Sequence, residues 1–264
     1  MIPKIIHYVW VGGNPLTPLA EKCIETWKKY CPDYEIKRWD ETTFDINSNN
    51  YCKQAYESKK WAFVSDYIRL FVLYEYGGIY MDTDVEVTKP LDEFLKHPAF
   101  SGFEDDEHIP TGIIASEKGN RWVEQQLRYY DDKNFILEDG KLDLTTNVIT
   151  ITNITMKLYP NLELDNTFKD LGDVVFYPKD YFCPISSTTK EMILTKNTHT
   201  IHHFSGSWVE KPKGIQSLII KFKVLIKKII GKKNTQKYID YKRKKRQRKE
   251  VKKNDKNNNI HANL

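Results

Sequence analysis

Cysteine is scarce, with four copies in 264 residues (Cys23, Cys31, Cys52 and Cys183) and no Cys-x-x-Cys spacing. A chain of this size cannot rest on so few for a disulfide scaffold, so reduced, structural thiols are expected. No uncharged apolar run reaches the ~18 residues that a spanning helix needs. The opening Met-Ile-Pro-Lys also lacks the basic segment and apolar stretch of a signal peptide, which points to a cytosolic location. Aromatic residues are not lacking: they make up 13% of the chain, with 16 tyrosines, more than a disordered or fibrous chain carries. The body is globular, and its length fits one large domain with a tail.

The net charge of +5 averages two unlike parts. From Lys211 onward there are 19 Lys and Arg against Asp240, Glu250 and Asp255, which leaves 22 basic against 33 acidic residues in 1–210. An acidic body with a basic tail predicts a tail that meets an anionic surface. In that tail Ile215, Leu218, Ile219, Phe222, Leu225, Ile226 and Ile229 form one helical stripe flanked by lysines. This is the pattern of a helix lying in a membrane interface, although a helix packed on its own domain would share it. The polybasic run Lys242–Lys249 adds to the charge, and no aromatic residue follows Tyr241 to stack bases, so nucleic acid is not an expected partner.

The body opens on Pro3–Val11, β-branched and aromatic, ended by Gly12-Gly13, and this predicts a buried strand. Leu19–Tyr30 has helical spacing and stops before Pro32, and Glu35–Trp39 reads as a second strand. Strand, helix and strand make an α/β opening, whose ligands gather at the carboxyl ends of the strands. Trp10 stands at such an end, either as a core tryptophan or as a platform for a base. Polar, Asn-rich 41–60 reads as a surface excursion, and 144–158 fits helix or strand equally.

Trp61–Tyr76 is apolar nearly all round and ends at Gly77-Gly78, so it reads as a buried helix. Asp66 and Arg69, three residues apart, are the exception within it. They form either an internal ion pair or a pair that holds a substrate. The helix runs directly into Gly78-Ile79-Tyr80-Met81-Asp82-Thr83-Asp84-Val85. Two carboxylates at the end of a buried strand repel unless one takes up a proton or a cation joins them. A hard divalent ion such as Mg or Mn suits such oxygen ligands and is commonly shared with substrate phosphates. The acidic loop Asp105–His108 reads as a solvated face in preference to a second metal site. In His199–Trp208, alternation puts His202 and His203 on opposite faces, so one of the two can join the carboxylates as an imidazole ligand.

These residues resemble glycosyltransferase family 32, which includes fungal initiating mannosyltransferases and bacterial capsule and lipopolysaccharide sugar transferases. More distantly they resemble the catalytic domains of clostridial glucosylating toxins. The resemblance is carried by Ile2–Trp10, by Ser65-Asp66-Tyr67-Ile68-Arg69 with Gly77–Asp84, and by His202–Trp208. It implies a GT-A type, Rossmann-like nucleotide-sugar domain over 1–210, followed by the basic tail 211–264. It also implies Mn2+ or Mg2+, a nucleotide-sugar donor (a UDP-hexose ahead of GDP-mannose) and retention of anomeric configuration. By position, Asp82, Thr83 and Asp84 match the segment that holds metal and diphosphate, and Asp66 and Arg69 match contacts to the donor sugar. Val9 and Trp10 match the base site, while His202, Ser207 and Trp208 match a closing motif around metal and diphosphate. Members often carry Gly-Pro where this chain has Thr145-Thr146-Asn147, which leaves the acceptor side undefined. The function implied is hexosyl transfer to a lipid-linked glycan in capsular or cell-surface polysaccharide synthesis, peripheral on the inner membrane face. A toxin-like protein glycosyltransferase and an inactive membrane- or nucleic-acid-binding module are the rival readings.

Overall fold

A computed structural model describes residues 1–105, 107–109, 112–186 and 191–206. The basic tail, the domain boundary near 210, Ser207 and Trp208 lie outside the described residues. Strand β1 (Ile5–Val9) is followed by helix α1 (Pro18–Tyr30) and strand β2 (Glu35–Trp39). Thr17 caps α1 by accepting the Ala20 N–H at 3.2 Å, Pro18 occupies the first turn, and Ala20, Cys23, Ile24 and Trp27 form the buried face. β1 and β2 pair in parallel from Ile5 opposite Glu35 to Val9 opposite Trp39.

The segment expected to be a surface excursion packs instead. It forms a short 3-10 turn at Ile46–Ser48 and helix α2 (Asn50–Glu57), which buries Tyr51, Cys52 and Ala55. Asn49, one of the asparagines that made the stretch look like a loop, is the cap of α2: its Oδ1 accepts the Cys52 N–H at 3.0 Å.

Helix α3 (Trp61–Tyr76) leads through Gly77 into strand β3 (Gly78–Met81). At Gly78 φ is +107°, and a Cβ would lie 2.7 Å from the Ile5 carbonyl oxygen, so glycine alone lets the chain pass this close to β1. His7 locks the same junction, because its Nε2–H donates to the Gly77 carbonyl at 2.8 Å while Nδ1 accepts the Trp39 indole N–H at 3.0 Å. Only the neutral ring satisfies both. Burial accordingly pulls the His7 pKa down from 6.5 to about 4. The unfolded chain binds the extra proton first, so stability is full above pH 6.5 and is lost as the pH falls towards 4. The loss amounts to about 3 kcal/mol. Urea unfolding midpoints measured across that range are expected to drop, and to drop less in His7→Gln.

The chain continues as β4 (Val85–Val87), β5 (Ala99–Gly102), β6 (Ile113–Ser116), α4 (Arg121–Arg128), α5 (Asn147–Leu158), β7 (Lys169–Asp170), β8 (Val175–Tyr177), α6 (Lys179–Phe182) and β9 (Thr200–His202). The undecided stretch 144–158 is therefore helical. Seven strands form one mixed sheet in the order β2-β1-β3-β6-β5-β8-β7, and β4 pairs separately with β9. β1 runs parallel to β3, and β6 runs antiparallel to both β3 and β5. One buried cluster joins α2, α3, α4 and α5, and another joins α1, β4 and α6, so both faces of the sheet are covered. The expected α/β layering is what the described residues form. Because β6 is antiparallel, its start lies beside the end of β3, with Ile113 opposite Met81. The ends of β1 and β3 and the β5–β6 connection thus meet along one edge.

Candidate functional site

The chain turns sharply where β3 ends. The Asp82 N–H donates to the Gly112 carbonyl at 2.8 Å and the Val85 N–H to the Asp82 carbonyl at 3.0 Å, closing a turn over Thr83 and Asp84. β4 then leaves the large sheet and pairs with β9, which sets Val85 opposite His202. This pairing brings an imidazole from 118 residues downstream of Asp84 to the two carboxylates. His202 Nε2 lies 3.3 Å from Asp84 Oδ1 and 4.0 Å from Asp82 Oδ2. His203 faces the other way, onto Glu86 at 2.9 Å.

Each carboxylate has one oxygen held by the protein. Asp82 Oδ1 accepts the Tyr80 hydroxyl at 2.8 Å and pairs with Arg69 Nη2 at 3.3 Å, while Asp84 Oδ2 accepts the Ser205 N–H at 2.7 Å. Asp82 Oδ2 and Asp84 Oδ1 are the oxygens that face His202. Asp82, Asp84 and His202 each offer a ligand atom, all within 4.8 Å of one another, and two hard oxygens with one imidazole suit Mn2+ or Mg2+. The imidazole rests on Gly112, where a Cβ would come within 2.8 Å of Nδ1, so any larger residue there displaces the ring. Burial pushes the Asp84 pKa up, but the His202 and Ser205 hydrogen bonds outweigh it and hold the carboxyl well below its ordinary range. For His202 burial pulls down, and the bond to Asp84 leads the effects that raise the imidazole well above its ordinary value. The His202 imidazole and Arg69 thus offset the charge of the acid pair.

Asp66 and Arg69 are both an ion pair and part of this site. Arg69 Nη2 lies 3.1 Å from Asp66 Oδ1 and 3.3 Å from Asp82 Oδ1, so the guanidinium ties α3 to the acid turn. Its Nε donates to the Ser65 carbonyl at 3.2 Å, and its plane covers the Tyr80 ring with Cζ 4.5 Å from the centroid. Burial raises the Asp66 pKa to about 6 against the pull of Arg69. Asn147, at the start of α5, donates Nδ2–H to Asp66 Oδ1 at 3.2 Å.

All of this borders one cavity of about 780 Å³. Val9, Trp10 and Thr83 line it together with Asp66, Arg69, Asp82, Asp84 and His202. Trp10 is half-buried and donates its indole N–H to the Asn14 carbonyl at 2.7 Å. Across Gly12 from it, Trp61 packs so closely that a Cβ on Gly12 would lie 2.7 Å from its ring. Sequence reasoning missed Tyr80, Trp61 and Asn147 as cavity residues, and it did not place the partly exposed Asp105 and His108 on the cavity, which they line with Glu104. The signal for Tyr80 was present: alternation in β3 puts it on the same side as Asp82, two residues on.

Residues 18–101 match the family described as "Glycosyltransferase sugar-binding region containing DXD motif". That span holds Asp66, Arg69 and the Asp82-Thr83-Asp84 turn. Residues 18–101 are thus similar to a glycosyltransferase DXD sugar-binding region. It is 32% identical to inositol phosphoceramide mannosyltransferase 3 of Schizosaccharomyces pombe, over 48% of this chain and 36% of that protein. It is also 32% identical to the uncharacterized glycosyltransferase L373 of Acanthamoeba polyphaga mimivirus, over 56% of this chain and 61% of that one. Among solved structures, a glycosyltransferase involved in glycosylation of the major capsid of PBCV-1 aligns with a TM-score of 0.47 and 14% identity, covering 77% of this chain and 95% of that one. The chain spans between about a third and a half of the length of the inositol phosphoceramide mannosyltransferase relatives, 36%, 33% and 51% of three of them. Within the matched span, α3 and the turn after β3 supply the acids and Arg69. His202 lies outside the matched span and reaches the site only through the β4–β9 pairing.

Proposed function

We propose that this chain is a metal-dependent, retaining glycosyltransferase that moves a hexosyl group from a nucleoside diphosphate sugar to a lipid-linked glycan. The observation that carries this reading is the convergence of Asp82 Oδ2, Asp84 Oδ1 and His202 Nε2 beside the Asp66–Arg69 pair in one cavity. Those three residues would hold a divalent cation, which would supply positive charge where the departing diphosphate gathers negative charge. Asp66 and Arg69 offer an acceptor and a donor to the hydroxyls of the sugar. Trp10 offers an aromatic face to the base. The bond from the anomeric carbon to the diphosphate breaks, the bond to the acceptor oxygen forms, and the acceptor proton leaves on the diphosphate.

Several relatives are named for mannosyl transfer to inositol phosphoceramide, which supports a hexose as cargo and an acceptor borne on lipid. The basic sequence beyond residue 210 supports a place on the inner membrane face. Removing residues 210–264 is expected to end co-sedimentation with phosphatidylserine vesicles; undiminished co-sedimentation would refute that role. The function itself is tested by incubating the full chain and Mn2+ with UDP-glucose, UDP-galactose, UDP-GlcNAc and GDP-mannose. Metal-dependent release of free sugar from at least one is expected. Release from none, or equal release without metal, contradicts it.

A further inference from the structure

The sheet order places the acceptor side, which the sequence leaves undefined. β1 and β6 flank β3 on opposite sides, so the end of β1, the Asp82–Asp84 turn and the β5–β6 connection stand in a row along one edge. Trp10 occupies the β1 side of the acid turn. On the β6 side, Asp105 and His108 line the same cavity. His108 Nδ1 lies 2.9 Å from Asp105 Oδ1. An ionised carboxylate only accepts, so Nδ1 carries the hydrogen, and Nε2 is left without a partner among the described residues. Backbone bonds hold the pair in place: the Glu107 N–H donates to Asp105 Oδ1 at 2.8 Å and the Glu104 N–H to the His108 carbonyl at 2.9 Å. The Ile109 N–H donates to Thr152 Oγ1 at 3.0 Å, which ties Ile109 to α5.

We infer that His108, oriented by Asp105, binds a hydroxyl of the acceptor, and that the acceptor is a sugar or cyclic polyol entering from the β5–β6 side. The inference rests on the proposed function. His108 Nε2 hydrogen-bonds a hydroxyl next to the attacking one, accepting from it as the neutral ring or donating to it as the imidazolium that Asp105 favours, so it binds and orients the acceptor and takes no proton in the transfer. Asp105 acts through His108 as a positioning residue.

The test offers the donor found above together with methyl α-glucopyranoside, methyl α-galactopyranoside, methyl α-mannopyranoside and myo-inositol. It measures the ratio of sugar transferred to these probes to sugar released into water. His108→Ala is expected to lower that ratio at least about tenfold. His108→Gln, whose amide still accepts a hydrogen bond, is expected to recover part of it. Asp105→Asn is expected to raise KM for the probes while leaving kcat for transfer nearly constant, which a loop-stabilising role would not do. An unchanged ratio in His108→Ala overturns the inference, as does a wild type that hydrolyses donor but transfers to no probe. A wild type that turns over no donor fails the proposed function itself and takes this inference with it.

Discussion

Replacing Arg69 with methionine is expected to destabilise the protein by about 3–5 kcal/mol and to end donor turnover. The guanidinium is buried and stands between Asp66 and Asp82, at 3.1 and 3.3 Å. Methionine fills much of the volume but leaves the two carboxylates facing each other without their cation, so one must take up a proton. Burial already raises the Asp66 pKa to about 6, which makes it the first to protonate. Urea unfolding at neutral pH reads the loss. Arg69→Lys restores the charge but not the planar fork that reaches both acids, so it is expected to recover part of the stability and little of the turnover. An Arg69→Met protein as stable as wild type would mean that the ion pair contributes nothing.

Asp84→Asn separates chemistry from stability. An asparagine carbonyl oxygen can still accept the Ser205 N–H that Asp84 Oδ2 accepts at 2.7 Å, so the turn is expected to survive. The oxygen facing His202, however, becomes an uncharged amide nitrogen, which is no ligand for a hard cation. Donor hydrolysis in Mn2+ is expected to fall by a factor of about 10²–10³ or more with an unchanged circular dichroism spectrum. Full activity would remove Asp84 from the site.

Where each local signal agreed with its tertiary use, the sequence alone was enough. β2 spans Glu35–Trp39 and α3 spans Trp61–Tyr76 as expected, because strand and helix periods, turn residues and caps pointed the same way. α2 was hidden because asparagines signal loops and helix caps alike, and only the packing of Tyr51, Cys52 and Ala55 on α3 distinguishes them. α5 was ambiguous because its threonines and isoleucines favour strands. In the fold, the Thr155 hydroxyl donates back to the Ile151 carbonyl at 2.8 Å and accepts the Trp122 indole N–H at 2.9 Å, which makes a β-branched helix tenable. β6 escaped notice because three apolar residues and a serine after an acidic loop are too few to show a period.

At the site, the paired aspartates were legible because charge at the end of a buried strand is costly and therefore informative. The choice of His202 over His203 required the β4–β9 register, which no local pattern encodes. The same holds for Asp105 and His108: whether an acidic loop meets solvent or a cavity depends on where β6 pairs, and that is a long-range fact.

Calorimetric titration of the full chain with Mn2+, in the presence of the free nucleoside diphosphate, tests the central claim most directly. One equivalent is expected to bind to the wild type, and binding is expected to weaken at least about tenfold in His202→Ala. Equal binding by wild type and His202→Ala, or no binding by the wild type, would contradict a metal held between Asp82, Asp84 and His202.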